Sequence, residues 1–195
     1  MWKAVLMAAG LASAVLLSAG ISLGQPSPLQ PVEDRAGRFV ISVPPAWRVE
    51  QSGRDLPALS AFSPEPPGTA PDSVEVFVSD LLLPITPPAC SQRVAFAMWV
   101  TIHEWTTLSE GPDTIDGLAA YSRVYTWHLR NGGERRSLQT CVPLGRRVFV
   151  IIGTTQNTPH RVAEVFPALA QILRTFRPGP VPVPAGPEPR GGSDH

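Results

Sequence analysis

The sequence predicts an α+β domain in which helices cover an antiparallel β-sheet. Short segments rich in β-branched residues recur along the chain between turns that contain proline or glycine. One segment free of proline and glycine lies near the middle of the chain, and an apolar stripe at helical spacing lies near its end. No repeat is visible, and we expect one domain over residues 37–177.

The residues outside this range differ from it in composition. Residues 1–24 contain a lysine, an uncharged apolar run and small residues at the end, which is typical of a cleaved signal peptide and of export to the periplasm or the exterior. An uncleaved membrane anchor is the alternative, since about 20 apolar residues can span a bilayer. We predict a proline-rich leader at residues 25–36 and a disordered tail rich in proline and glycine at residues 178–195, and we expect neither to join the core.

The charge balance indicates no polyanionic partner. The chain has 16 basic and 16 acidic residues, and Lys3 is its single lysine. Neither a nucleic-acid footprint nor an acidic tail is present, so we expect no nucleic-acid partner. Contact with a membrane is expected only if the N-terminal segment stays uncleaved.

In the first half of the domain, alternating segments predict strands at residues 38–43 and 47–50, on either side of Pro44-Pro45. Further strands are predicted at residues 59–62 and 74–79. The segment between these two contains four prolines and a glycine and is predicted to be a surface loop.

A helix is predicted from Ser91 to Trp105, with two apolar stripes. One stripe is formed by Val94, Met98, Ile102 and Trp105. The second is formed by Phe96, Trp99, Val100 and His103. The pattern favours core or self-association for the second stripe. The alternative is a docking patch for another envelope protein, with Phe96, Trp99 and His103 as the candidate partner-binding residues.

The second half of the domain predicts an antiparallel meander and a closing helix. Strands are expected at residues 118–129, entered through Asp116-Gly117, at 135–142 after the turn signal Asn131-Gly132-Gly133, and at 148–152, which is apolar on both faces and therefore central. Thr158 and Pro159 predict the start of a helix that reaches Phe176. Pro167 inside this helix predicts a kink, or a short turn followed by a new helix.

Cys90 and Cys141 are the two cysteines. An even count in an exported chain favours a disulfide bond, which would contribute about 4 kcal/mol in the chain-entropy model. The alternative is two buried thiols that pack as small apolar side chains. A redox role is less favoured, because no Cys-x-x-Cys spacing is present.

Three segments resemble the PsbP-like superfamily. Gly37 to Trp47 is similar to its opening "G-F-x-I-x-x-P-x-x-W" element, Asp116 to Ala120 is similar to the entry of its meander, and Ile172 to Arg177 is similar to the end of its closing helix. The order of the predicted elements includes a four-strand antiparallel meander before the closing helix, and the resemblance implies an α/β/α sandwich. It also implies docking to a protein partner, which is the common theme of the superfamily, and it supplies no catalytic motif.

No local motif for catalysis, a cofactor or a metal is present, and the four histidines are scattered. We therefore expect a non-catalytic accessory or protein-binding module of the cell envelope without a cofactor or metal. The alternative is a small-molecule-binding protein or a hydrolytic enzyme, with a pocket between the sheet and loops 64–71 and 84–88. Such a pocket would place Arg123 or His128 beside a carboxylate such as Glu75 or Asp80. Arg123 lies in an alternating row with Tyr121, Tyr125 and Trp127, which is expected to be covered by a helix, with the arginine reaching outward.

Overall fold

The structure, a computed structural model, describes residues 28–52, 57–65, 69–102, 104–129 and 133–180. The predicted signal peptide, Asn131 and Gly132 of the hairpin turn and residues 181–195 of the tail lie outside these ranges. The elements of the described residues, in chain order, are β1 (Gln30–Glu33), β2 (Phe39–Val43), β3 (Arg48–Gln51), β4 (Leu59–Phe62), β5 (Ser73–Asp80), α1 (Pro87–Thr101), β6 (Trp105–Ile115), β7 (Leu118–His128), β8 (Glu134–Leu144), β9 (Arg147–Gln156), α2 (Pro159–Arg174) and β10 (Arg177–Pro178).

Two sheets form from these strands. The large sheet has the order β3-β4-β5-β9-β8-β7-β6, and every neighbouring pair in it is antiparallel. The small sheet has the order β1-β2-β10. The predicted central position of β9 is confirmed, and so is the α+β class with helices on an antiparallel sheet.

The main core lies between the large sheet on one side and α2 with the small sheet on the other. Phe39 of β2, Phe149 of β9 and Phe176 after α2 form an aromatic cluster with ring centroids 5.1 to 6.2 Å apart. Gly153 on β9 lets α2 approach closely, because a Cβ there would lie 3.1 Å from Leu173 and 3.2 Å from Leu169. Helix α1 contacts strands β6, β7 and β8. Its buried Cys90 packs in a second apolar cluster with Val150, whose neighbours along β9 face the main core, so α1 covers the opposite face of the sheet.

The prediction that the leader and the tail stay outside the core is wrong for their inner ends. Residues 30–33 pair with β2, and Val32 packs against the main core. The buried Asp34 accepts hydrogen bonds from the Arg38 side chain at 2.7 and 2.9 Å. On the other edge of β2, Arg177 and Pro178 pair with Val40 and Phe39. Both segments form strands because β2 offers them two open edges, where proline is tolerated.

Helix α1 begins earlier and ends earlier than predicted. It starts at Pro87, since prolines are accepted in the first turn, and ends at Thr101. Ile102 has extended backbone, and Trp105 begins β6 instead of continuing the apolar stripe. Strand β6 is the meander strand that the pattern did not locate; it carries Gly111-Pro112, which an edge strand accommodates.

Helix α2 is a single helix with Pro167 inside it, so the predicted alternative of a turn followed by a new helix is wrong. The Thr158 hydroxyl accepts a hydrogen bond from the backbone N–H of Arg161, which confirms the predicted start. In the ranges that the structure describes, neither helix is long and apolar enough to cross a membrane.

Candidate functional site

Two of the three predicted partner-binding residues lie together on the outer side of α1. Phe96 and Trp99 are 67% and 65% exposed, and their ring centroids are 6.1 Å apart. Val100 beside them is also exposed. We call these three residues the apolar ridge. Their exposure excludes the core interpretation and leaves self-association or docking. The third predicted residue, His103, lies outside the described residues.

The opposite edge of α1 borders a groove that the sequence did not predict. The helix contacts β6, β7 and β8, so β5 and β9 are less covered on this face. A cavity of about 500 Å³ opens there, which is within the size range of small-molecule sites. Its walls are mostly apolar and include Phe77, Val150 and Ile152 from the sheet and Val94, Ala97 and Met98 from the helix. We call it the α1 groove.

The loop between β5 and α1 extends the groove. A second cavity of about 450 Å³ is lined by the residues from Asp80 to Ile85 together with Arg93. Leu82 and Leu83 in this loop are 88% and 75% exposed. The two cavities share Leu81, Ile85 and Arg93, so the apolar surface is continuous from the helix to the loop.

Arg93 is the charged residue of the α1 groove. It is exposed and forms no hydrogen bond or ion pair with any residue that the structure describes. No carboxylate or histidine lines the groove among those residues. The carboxylate at the edge of the second cavity, Asp80, is already bound by Arg147 at 2.9 and 3.2 Å, and this ion pair holds the pKa of Asp80 below its usual value.

The alternating row on β7 lies under α1, as predicted, but its arginine does not reach outward. Arg123 is 6% exposed, and its guanidinium contacts the Glu110 carboxylate at 2.6 Å. It also lies 5.6 Å from the centre of the Trp105 ring and donates a long hydrogen bond, 3.4 Å, to the backbone carbonyl of Ser91 in α1. Tyr125 is fully buried, and burial raises the pKa of its hydroxyl. This row is therefore a core layer.

The polar groups that an enzyme pocket would need are dispersed. Arg123 pairs with Glu110, whereas His128 lies 3.8 Å from Glu104. Glu75 lies on the face of the sheet that α1 covers; burial raises the pKa of its carboxyl, and a hydrogen bond from Ser60 opposes this shift. No group of three His, Cys, Asp or Glu side chains able to hold a metal ion exists in the described part of the chain.

The predicted disulfide between Cys90 and Cys141 is wrong. Both cysteines are buried free thiols, and their sulfurs are not at bonding distance. They pack with Val148 and Val150 in the apolar cluster below α1. A hydrogen bond to Cys90 and burial together raise the pKa of the Cys141 thiol. The thiols thus act as small apolar side chains, which is the alternative interpretation of the pair.

The sequence holds a signal for the α1 groove. Arg93 directly precedes seven consecutive apolar residues, from Val94 to Val100. Such a run is apolar on every side of a helix, so it exceeds what one core face needs. The apolar spacing predicts the ridge, but it assigns no role to Arg93 at the start of the apolar run.

The fold and the site together define a class: a small α/β/α sandwich with an exposed apolar surface on one helix. Comparison of structures places this sandwich among known proteins. The cyanobacterial PsbP of Synechocystis sp. PCC 6803 superposes with a TM-score of 0.58 at 13% identity, covering 83% of this chain and 98% of its own. LpqN of Mycobacterium tuberculosis, described as involved in cell envelope biogenesis, gives a TM-score of 0.56 at 18% identity, covering 78% and 91%. The Ran-binding protein Mog1p of Saccharomyces cerevisiae gives 0.54 at 15% identity, covering 77% and 95%.

The chain therefore has the PsbP-like fold, and the resemblance carried by its opening, meander and closing segments is confirmed. No protein-family model matches the sequence, and no curated protein matches it. At these identities the likeness establishes the fold alone.

Proposed function

We propose that this protein is an exported, non-catalytic accessory module of the cell envelope that binds another protein through the apolar ridge. The observation that carries the proposal is the exposure of Phe96 and Trp99 on a helix whose other side is anchored in the core. Large aromatic side chains are enriched at the centres of protein interfaces, where a few of them supply most of the binding energy.

The surroundings of the ridge support this proposal. Six large apolar side chains are prominently exposed in the described part of the chain, and five of them lie on α1 or in the loop before it: Leu82, Leu83, Phe96, Trp99 and Val100. Exposed apolar side chains concentrated on one helix and the loop before it mark this region as an interaction surface, and Phe96, Trp99 and Val100 form its part on the outer side of α1. Export is supported by the composition of residues 1–24, which is typical of a signal peptide.

The fold is compatible with such a role. Mog1p is described as a Ran-binding protein and LpqN as a protein of envelope biogenesis. Both descriptions concern those proteins; for this chain they support a binding role over catalysis, with an envelope protein as the proposed partner.

The experiment is affinity capture from an envelope extract with the tagged protein, followed by binding measurements with the purified captured protein. Trp99→Glu places a charge in the ridge, and Leu108→Glu places the same charge on an exposed apolar residue of β6 as the matched control. We expect Trp99→Glu to weaken binding at least 30-fold, as for a central aromatic residue of an interface. Leu108→Glu should change binding less than threefold.

Three outcomes would overturn the proposal. The first is equal capture of the partner by wild type and Trp99→Glu. The second is unfolding of Trp99→Glu, which would show that the exposed Trp99 side chain is required for folding. The third is a wild-type dimer in analytical ultracentrifugation that Trp99→Glu dissociates, which would assign the ridge to self-association.

A second function, binding of a small molecule, is favoured by one observation. The α1 groove is a concave apolar cavity beside the sheet, bordered by the loop at residues 81–86. Its lining offers no histidine or carboxylate among the described residues, so the groove supports binding and gives no support to hydrolysis.

A further inference from the structure

We propose that the α1 groove binds a free, single-chain anionic amphiphile, with the alkyl chain between α1 and the sheet and the acidic headgroup at Arg93. This inference deepens the second function above. It is independent of the ridge and of its protein partner, because the two sites use different sides of α1.

The groove is suited to an alkyl chain because it has two apolar walls. Phe77, Val150 and Ile152 form one wall, and Val94 and Met98 form the other. These walls exist because α1 lies over β6 to β8 and leaves β5 and β9 less covered. From Arg93 to Thr101 the helix advances eight residues, about 12 Å at 1.5 Å per residue, so the helix wall of the groove is about 12 Å long. A linear alkyl chain lying along the helix can contact both walls over this length.

The charges at the mouth of the groove select an anionic headgroup. Arg93 has no partner among the described residues, so its guanidinium is available to form two hydrogen bonds to a carboxylate, sulfate or phosphate. Arg146 and Arg147 lie near the same loop, where Arg146 donates to the Leu81 carbonyl. Asp80 is the acidic residue there and is neutralised by Arg147. The mouth therefore carries excess positive charge, which attracts an anion.

The concave shape distinguishes a free amphiphile from a bilayer. A bilayer contacts convex apolar side chains such as those of the ridge, whereas the groove is lined on one side by a helix and on the other by a sheet. We therefore propose the free amphiphile as the ligand. Binding to anionic vesicles is measured in parallel to test the alternative of a membrane surface.

The test is isothermal titration of the purified protein with octanoate, decanoate and dodecanoate below their micelle concentrations. We expect one binding site and an affinity that rises about fourfold for each added methylene group, equivalent to about 0.8 kcal/mol. Dodecyl maltoside, which has the same chain and no charge, should bind at least tenfold more weakly than dodecanoate.

Variants separate the headgroup contact from a general effect of charge. Arg93→Glu should weaken dodecanoate binding at least tenfold, and Arg93→Lys should weaken it less because the charge remains. Arg35→Glu is the matched control, since Arg35 is an exposed arginine that lines neither cavity and whose side chain forms no ion pair with described residues; it should leave binding unchanged. Ala97→Trp should fill the groove and abolish binding.

Each opposing result overturns the inference. Absence of binding to all three carboxylates would do so, as would equal binding by Arg93→Glu and wild type. Binding to anionic vesicles that Ala97→Trp leaves intact, without binding of free dodecanoate, would assign the surface to membranes instead. Because Arg93 is exposed, Arg93→Glu keeps the test decisive if Ala97→Trp fails to fold. Failure of the ridge experiment would leave these expectations unchanged.

Discussion

The Arg123–Glu110 ion pair below α1 has a buried arginine and a partly exposed carboxylate, which predicts an asymmetry in stability between substitutions of the two residues. Glu110→Gln leaves the Arg123 guanidinium, which is 6% exposed, without its countercharge. Leaving a buried charge unpaired costs about 3–5 kcal/mol. The Glu110 side chain is 42% exposed, so water reaches this end of the pair, and a glutamine can still accept one hydrogen bond. We therefore expect the free energy of unfolding to fall by about 2–3 kcal/mol, at or below the lower end of that range.

The partner substitution should cost less, although it changes the side chain more. Arg123→Met keeps an apolar stem of similar length and removes the buried charge. The Glu110 carboxylate that remains is partly exposed and can be hydrated. The losses are one ion pair whose carboxylate is partly exposed and the contact with the Trp105 ring, together about 1–2 kcal/mol, because removing the buried charge also removes its desolvation cost. The double variant Glu110→Gln, Arg123→Met contains no buried charge without a partner. Its free energy of unfolding should therefore equal that of Arg123→Met within about 0.5 kcal/mol.

Urea unfolding at pH 7, followed by circular dichroism and tryptophan fluorescence, measures these differences, with equal m-values as the check on comparable unfolded states. Glu50→Gln is the control, because Glu50 and Arg48 form an ion pair in which both side chains are exposed. That variant should change stability by less than about 0.5 kcal/mol. The reasoning is refuted if Arg123→Met costs more than Glu110→Gln, or if the two losses add in the double variant.

Two further predictions concern the half-buried Glu75 and the two buried cysteines, which lie on the same face of the sheet. Burial raises the pKa of Glu75, and a carboxyl with a raised folded-state pKa favours folding below its unfolded pKa and loses this contribution as the pH rises through the folded value. Glu75→Gln should therefore raise the urea midpoint at pH 7 and change it little at pH 3.5; an equal change at both pH values would contradict the burial effect. Cys90 and Cys141 are buried and unbonded, so without reductant both should resist maleimide in the native protein and both should react in urea. An unfolded protein that takes up no label until it is reduced would show that a disulfide forms after all.

The elements predicted most accurately carry their pattern within their own residues. Strand β9 is apolar on both faces because it is central, and α2 keeps one apolar stripe from start to end. Strand β1 cannot be predicted from its own residues, because its sequence, Gln-Pro-Val-Glu, has no alternation of apolar and polar side chains. Residues 30–33 form a strand because they pair with an open edge of β2, and that edge exists only in the folded domain. Tertiary pairing therefore decides what local propensity leaves open.

One part of the candidate site could likewise be predicted from the sequence, and another part could not. The second apolar stripe of α1 could be predicted from spacing, because Phe96 and Trp99 share one side of a helix in any environment. The groove could not be predicted, since it depends on the lateral position of α1 over the sheet. The end of α1 was also misplaced: apolar spacing continues to Trp105, but the chain leaves the helix after Thr101 and takes a positive φ of 58° at Glu104.

Strand β2 holds the first and the last described strands as its two neighbours, β1 and β10. This small sheet packs through Phe39 on the face of the large sheet that α2 covers, whereas the ridge and the groove lie with α1 on the other face. Any tether that precedes residue 28 therefore joins the domain at its back. A protein attached at this end would turn α1 away from the attachment point, so the proposed partner and ligand would approach from the opposite direction.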